Sequence, residues 1–125
     1  MDKYTELKQL LLDRTYKKYS INNLAYKLGI EKDLGFDGDD AAELIFDYSE
    51  KFGVDISKFN YKLYFTPEDS LTYIIFKLFP KLNSKRKELT IGDLMAGIII
   101  GELNDDVINA YENNLIPLDA LCKES

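Results

Sequence analysis

The stretch Asp33-Leu34-Gly35-Phe36-Asp37-Gly38-Asp39-Asp40-Ala41-Ala42-Glu43-Leu44-Ile45-Phe46-Asp47-Tyr48-Ser49-Glu50-Lys51-Phe52-Gly53 decides how this chain is read. Ala41, Leu44, Ile45, Tyr48 and Phe52 recur at helical spacing, so a helix over Gly38–Phe52 gathers them into one apolar stripe. Asp37 stands where a capping carboxylate takes the first free amides. Asp39 and Asp40 fall in the first turn, where the partial positive charge of unpaired amides favours anions by about 0.3–1 kcal/mol each. Gly53, directly after Phe52, supplies a left-handed stop.

Working outward, the same periodicity predicts further helices. Tyr4, Leu7, Leu10, Leu11 and Thr15 share a face over residues 2–19, and Ser20, Asn22 and Asn23 then favour a break. Thr66-Pro67-Glu68-Asp69 combines a capping hydroxyl, a proline at the first helical position and two first-turn acids. The helix it opens carries Leu71, Ile74, Ile75, Leu78 and Phe79 and ends at Pro80. Thr90 and Asp93 are spaced as a capping box for a helix reaching to about Leu103, with Ile91, Leu94, Met95 and Ile98 inward. A last short helix over residues 105–113 is anchored by Val107, Ile108 and Tyr111. No stretch longer than four residues alternates as a strand would, so the expected class is all-α, in a single domain over residues 1–125.

Composition removes several functions. Sixteen basic against twenty-two acidic residues give a net charge of −6, which repels a phosphate backbone over a Debye length of about 10 Å, so nucleic acid is not an expected partner. The chain has no histidine, and with it go the commonest general base and the commonest metal ligand. One cysteine, Cys122, allows neither an internal disulfide nor a multi-cysteine zinc site. The N-terminus shows no basic region followed by an apolar run, and residues 94–100 are far short of a membrane span of about 20 residues. A cytoplasmic protein without a membrane partner is expected.

The carboxylates of residues 33–40 invite a calcium-loop reading, which fails on spacing. Counted from Asp33 or Asp37, ligand positions fall on Gly35 or Ala41 and the bidentate twelfth position on Leu44 or Tyr48. Gly35 and Gly38 make no dinucleotide fingerprint, since no strand precedes them and no third glycine follows. No catalytic residue, metal ligand or cofactor is therefore assigned.

Asp33, Leu34, Gly35, Asp37, Asp40, Glu43, Leu44, Phe52 and Ile56 match, in register and without a gap, the segment of acyl carrier proteins around Asp-Leu-Gly-x-Asp-Ser-Leu-Asp. Thr90-Ile91-Gly92-Asp93-Leu94 is similar to the start of the carrier's last helix. The chain thus resembles acyl carrier proteins over about residues 2–102. It is most similar to a poorly characterised family of short bacterial carrier-like proteins with Gly-Asp-Asp at this place. The resemblance implies an acyl-carrier-like four-helix bundle with an additional inserted helix and a short C-terminal helix. It departs at the point of chemistry. Gly38 stands where the carrier has the serine that takes phosphopantetheine, and Asp39 where it has leucine. A literal Asp69-Ser70-Leu71 occurs later, but Ser70 falls inside a first turn, with neither Asp-Leu-Gly before it nor Glu-Leu after it.

Asp40, Glu43, Asp47 and Glu50 follow at intervals of three, four and three, which lines them along one helix face beside the buried stripe. Phe46 points away from Leu44, Ile45 and Tyr48, towards solvent and among those acids. Solubility accounts for the acids, and packing against the inserted helix is a structural alternative for Phe46. Acyl carrier proteins present this helix to basic patches on their enzymes. The resemblance therefore implies docking through Phe46 and Ala42, ringed by Asp37, Asp39, Asp40, Glu43 and Asp47. Lys81, Lys85, Arg86 and Lys87 read as a solvated loop or as a contact for an acidic partner. Three functions stay open: a non-catalytic carrier-like module that binds a protein bearing a basic patch, an immunity protein neutralising a toxin, and a working carrier using Ser70.

Overall fold

The computed structural model describes residues 2–15, 19–20, 23–36, 38–60, 64 and 87–116. Among these residues there are four helices and no strand: α1 (Lys3–Arg14), α2 (Gly38–Phe52), α3 (Ile91–Ile100) and α4 (Asp105–Glu112). The all-α class expected from the spacing holds. The expected helix after Thr66 and the basic residues Lys81, Lys85 and Arg86 lie outside the described residues, as do Asp37, Ser70 and Cys122.

The fold is built around α3, whose residues Ile91, Gly92, Asp93, Leu94, Met95, Ala96 and Gly97 are all buried. It packs against α4 and α1, and α1 packs against α2. A buried helix start must find partners for its free amides, and α3 finds them in two ways. The expected capping box closes: the Asp93 amide donates to the Thr90 hydroxyl (3.2 Å) and the Thr90 amide to Asp93 Oδ2 (2.9 Å). The connection before α2 supplies the rest, since the Ile91 amide donates to the Leu28 carbonyl (3.1 Å) and that of Gly92 to the Tyr26 carbonyl (2.8 Å).

That connection is anchored in turn. The Ile30 amide donates to the Leu89 carbonyl (2.7 Å), and the Glu88 carboxylate accepts from the amides of Glu31 (2.8 Å) and Lys32 (2.9 Å). Leu24, Ile30, Leu34 and Phe36 are buried beneath it. The Asp33 carboxylate accepts from the Gly29 amide (2.6 Å) and so closes the turn.

Two helix ends differ from their sequence readings. α1, capped by the Asp2 carboxylate on the Thr5 amide, stops at Arg14, five residues before Tyr19. Thr15 turns to an extended conformation and its hydroxyl donates to the Leu34 carbonyl (2.6 Å), a tertiary bond that draws the chain off the helix axis. α3 stops at Ile100, because Gly101 adopts φ 96° and its amide closes on Gly97. Leu103 stays buried beyond that stop, and its amide donates to the Asp55 carbonyl (2.9 Å).

α2 runs over the residues expected. Ala41, Leu44, Ile45 and Tyr48 are fully buried, Phe52 is half-buried, and Gly53 takes φ 67°. The Tyr48 hydroxyl donates to the Leu94 carbonyl of α3 (2.5 Å). Gly97 makes room for that phenol, since a Cβ at this position would collide with it. α4 is capped by the Asn104 side chain on the Val107 amide (3.0 Å) and buries Val107 and Ile108. No helix among the described residues is long and apolar enough to cross a membrane.

Candidate docking face on the second helix

With its apolar stripe turned inward, α2 leaves Asp40, Ala42, Glu43, Phe46 and Glu50 exposed and Asp47 half-buried. Phe46 keeps 56% of its surface in solvent, which is unusual for so large an apolar side chain beside a filled core. The side chain of Asp39 and all of Asp37 lie outside the described residues.

The structure adds a residue that sequence reasoning did not select. Arg14, in the last turn of α1, reaches across the helix pair and its guanidinium forms an ion pair with Asp47. An open groove of about 410 Å³ is lined by Arg14, Ala42, Glu43, Phe46 and Asp47. A smaller hollow of about 190 Å³ is lined by Arg14, Phe36, Asp40 and Glu43. Arg14 and Glu43 line both, so the two hollows adjoin beside α1 and α2. Five of the residues chosen from sequence, Asp40, Ala42, Glu43, Phe46 and Asp47, therefore border one or other of these adjoining hollows. Nothing in the local pattern pointed to Arg14, because its place depends on how α1 lies against α2.

A second concentration of polar groups lies inside. Asp93 is only 1% exposed, and among the described residues its Oδ1 has no hydrogen-bond partner. Burial raises its pKa to about 6 from 3.8, against the bonds from Thr90, which lower it; the charge of Glu112 adds to the rise and that of Lys87 opposes it. Burial, and then the Asp93 charge, also push the Tyr48 and Tyr111 hydroxyls upward. The Tyr64 hydroxyl, which donates to the Asp105 carboxylate (2.8 Å), is raised by burial and by Asp105. Neither hollow beside α2 includes Asp93. Lys87, the one described residue of the basic run, is engaged on α4 with Asn109 (2.7 Å) and Glu112 (3.4 Å). Among the described residues no group of three or more acidic or cysteine side chains is placed to hold a metal ion.

Fold and surface together define a small helical domain with an aromatic side chain set in an acidic groove. The chain belongs to the family described as protein of unknown function DUF1493, whose profile matches residues 4–113. No curated protein and no solved structure matches it.

Proposed function

We propose that the chain is a non-catalytic, acyl-carrier-like binding module that takes no phosphopantetheine and docks a protein bearing a basic patch on the outer face of α2. The observation that carries this reading is Phe46, exposed beside a groove bordered by Glu43 and Asp47. A desolvated aromatic anchor within a charged rim is a common energetic arrangement at protein interfaces. The net charge of −6 favours a basic partner through long-range attraction. The carrier-like motif from Asp33 to Ile56 supports the family of partners, and Gly38, the first residue of α2, has no hydroxyl to modify.

Two measurements test it. Wild-type chain and Phe46→Ala are used as baits in a lysate of the native cell; a bound protein retained by the first and lost by the second is expected. Intact mass after incubation with coenzyme A and a broad-specificity phosphopantetheinyl transferase should not change. A mass gain abolished by Ser70→Ala would replace this reading with a working carrier. Capture of a toxin whose activity the chain blocks would replace it with an immunity protein.

A further inference from the structure

The docking face is not empty in the folded chain. Asp47 is paired with the Arg14 guanidinium, which also borders the hollow in front of Asp40, Glu43 and Phe36. A basic partner approaching Phe46 therefore meets a cation already seated among the acids it is drawn to. We infer that Arg14 is a built-in competitor for this face, and that the partner group displacing it is an arginine on a protein surface. The inference rests on the docking reading of α2 proposed above and adds its regulation and the side chain it selects.

The choice of arginine follows from the groove's chemistry. Its lining joins carboxylates of Glu43 and Asp47 to the apolar surfaces of Ala42 and Phe46. A guanidinium is weakly hydrated, planar and able to meet a carboxylate through two donors while lying against an aromatic face; an ammonium is compact and strongly hydrated. The chain's own occupant is of the first kind. Because the Arg14–Asp47 pair is partly exposed, it is weak and readily exchanged. It lowers the affinity of a competing arginine only a few-fold, yet it discriminates against isolated cations that bring no apolar contact.

The test titrates N-acetyl-arginine amide and N-acetyl-lysine amide into the 15N-labelled full chain at constant ionic strength, following amide shifts. Wild type is compared first with Arg14→Gln and with Lys58→Gln, which loses the same charge at an exposed position after α2. The arginine amide should shift Ala42, Glu43, Phe46 and Asp47 in all three, with affinity about two- to five-fold higher in Arg14→Gln than in the other two. The lysine amide should bind Arg14→Gln more weakly than the arginine amide does. Arg14→Lys should fall between wild type and Arg14→Gln, and the spectrum of each variant reports its folding directly. Equal affinity in wild type and Arg14→Gln, or an equal gain in Lys58→Gln, overturns the competitor role while leaving the docking face standing. Loss of binding in Arg14→Gln overturns it by making Arg14 a positioning residue for the acids. Equal binding of the two amides overturns the selection of arginine. Absence of shifts on α2 in every protein overturns both this inference and the docking reading beneath it.

Discussion

The interior end of α3 and the outer face of α2 use the same residue type to opposite effect. Asp93 is buried, its charge helps to raise the hydroxyls of Tyr48, Tyr64 and Tyr111, one of its oxygens has no partner among the described residues, and it holds a proton more tightly than an ordinary aspartate. Asp47, next to Tyr48 in sequence but at the edge of the buried stripe of α2, is partly exposed and answered by Arg14 from another helix. Burial makes the first carboxylate a determinant of stability; access makes the second available for exchange. A carboxylate's chemistry here follows from where the helix turns it.

The contrast breaks most visibly if the register of α2 is wrong. Leu44 lies fully buried within two residues of exposed Phe46, and Leu44→Ala should cost about 2–5 kcal/mol in denaturant unfolding. An unchanged midpoint would remove Leu44 from the core and, with it, the outward direction of Phe46 and the acids beside it on which the proposed docking face depends.

The next largest effect belongs to Asp93. Its folded pKa is raised, so the folded chain binds this proton more tightly than the unfolded one. The resulting stabilisation is fully present below about pH 4 and is lost as pH rises through about 6. A shift from 3.8 to about 6 corresponds to about 3 kcal/mol at most. Asp93→Asn leaves an oxygen for the Thr90 amide and carries no charge. Its stability relative to wild type should therefore rise between pH 4.5 and pH 7.5 by about two-thirds of that figure, about 2 kcal/mol. A difference that stays constant across this range would show that Asp93 titrates in the fold as it does in the unfolded chain.

How much of this was legible in the sequence depends on the range of the interactions involved. α2, its Gly53 stop, the Thr90–Asp93 capping box and the anchors Val107 and Ile108 were readable because spacing and caps are properties of neighbouring residues. The end of α1 was not, because the hydroxyl of Thr15 leaves the helix for the Leu34 carbonyl, nineteen residues away. The role of residues 23–36 as an outer cap on α3 was equally hidden, since it rests on bonds from Ile91 and Gly92 back to Leu28 and Tyr26. The capping role of Asp93 follows from its spacing to Thr90, but its burial does not, since it depends on how α3 packs against α1 and α4. On the candidate face, the exposure of Phe46 and the row of acids followed from helical geometry. Arg14 did not, and it is the residue that changes how the face is read.

The Arg14–Asp47 pair gives a smaller effect, and it sharpens the contrast from the exposed side. A double-mutant cycle over Arg14→Gln and Asp47→Asn should return a coupling of about 0.2–1 kcal/mol that shrinks as salt is raised, as for a pair at the surface. A coupling above 2 kcal/mol that ignores salt would place the pair inside the structure, alongside Asp93 in kind.

The smallest expected change in stability is that of Phe46→Ala, and its smallness is the point. A Phe in the core would cost about 3–5 kcal/mol on truncation. At 56% exposure, Phe46 gives up much less apolar burial, and alanine returns a few tenths of a kcal/mol through its better helix propensity. The two terms oppose each other, so the variant should unfold within about 0.5 kcal/mol of wild type. Partner binding should nevertheless fall, chiefly through faster dissociation, because a desolvated aromatic anchor is worth about 2 kcal/mol or more at an interface. Asp47→Asn at the rim should act instead on the association rate and its salt dependence. If Phe46→Ala lost more than about 1 kcal/mol of stability, Phe46 would be packed in the folded chain, and the division between a closed interior at α3 and an open face on α2 would fail at Phe46 itself.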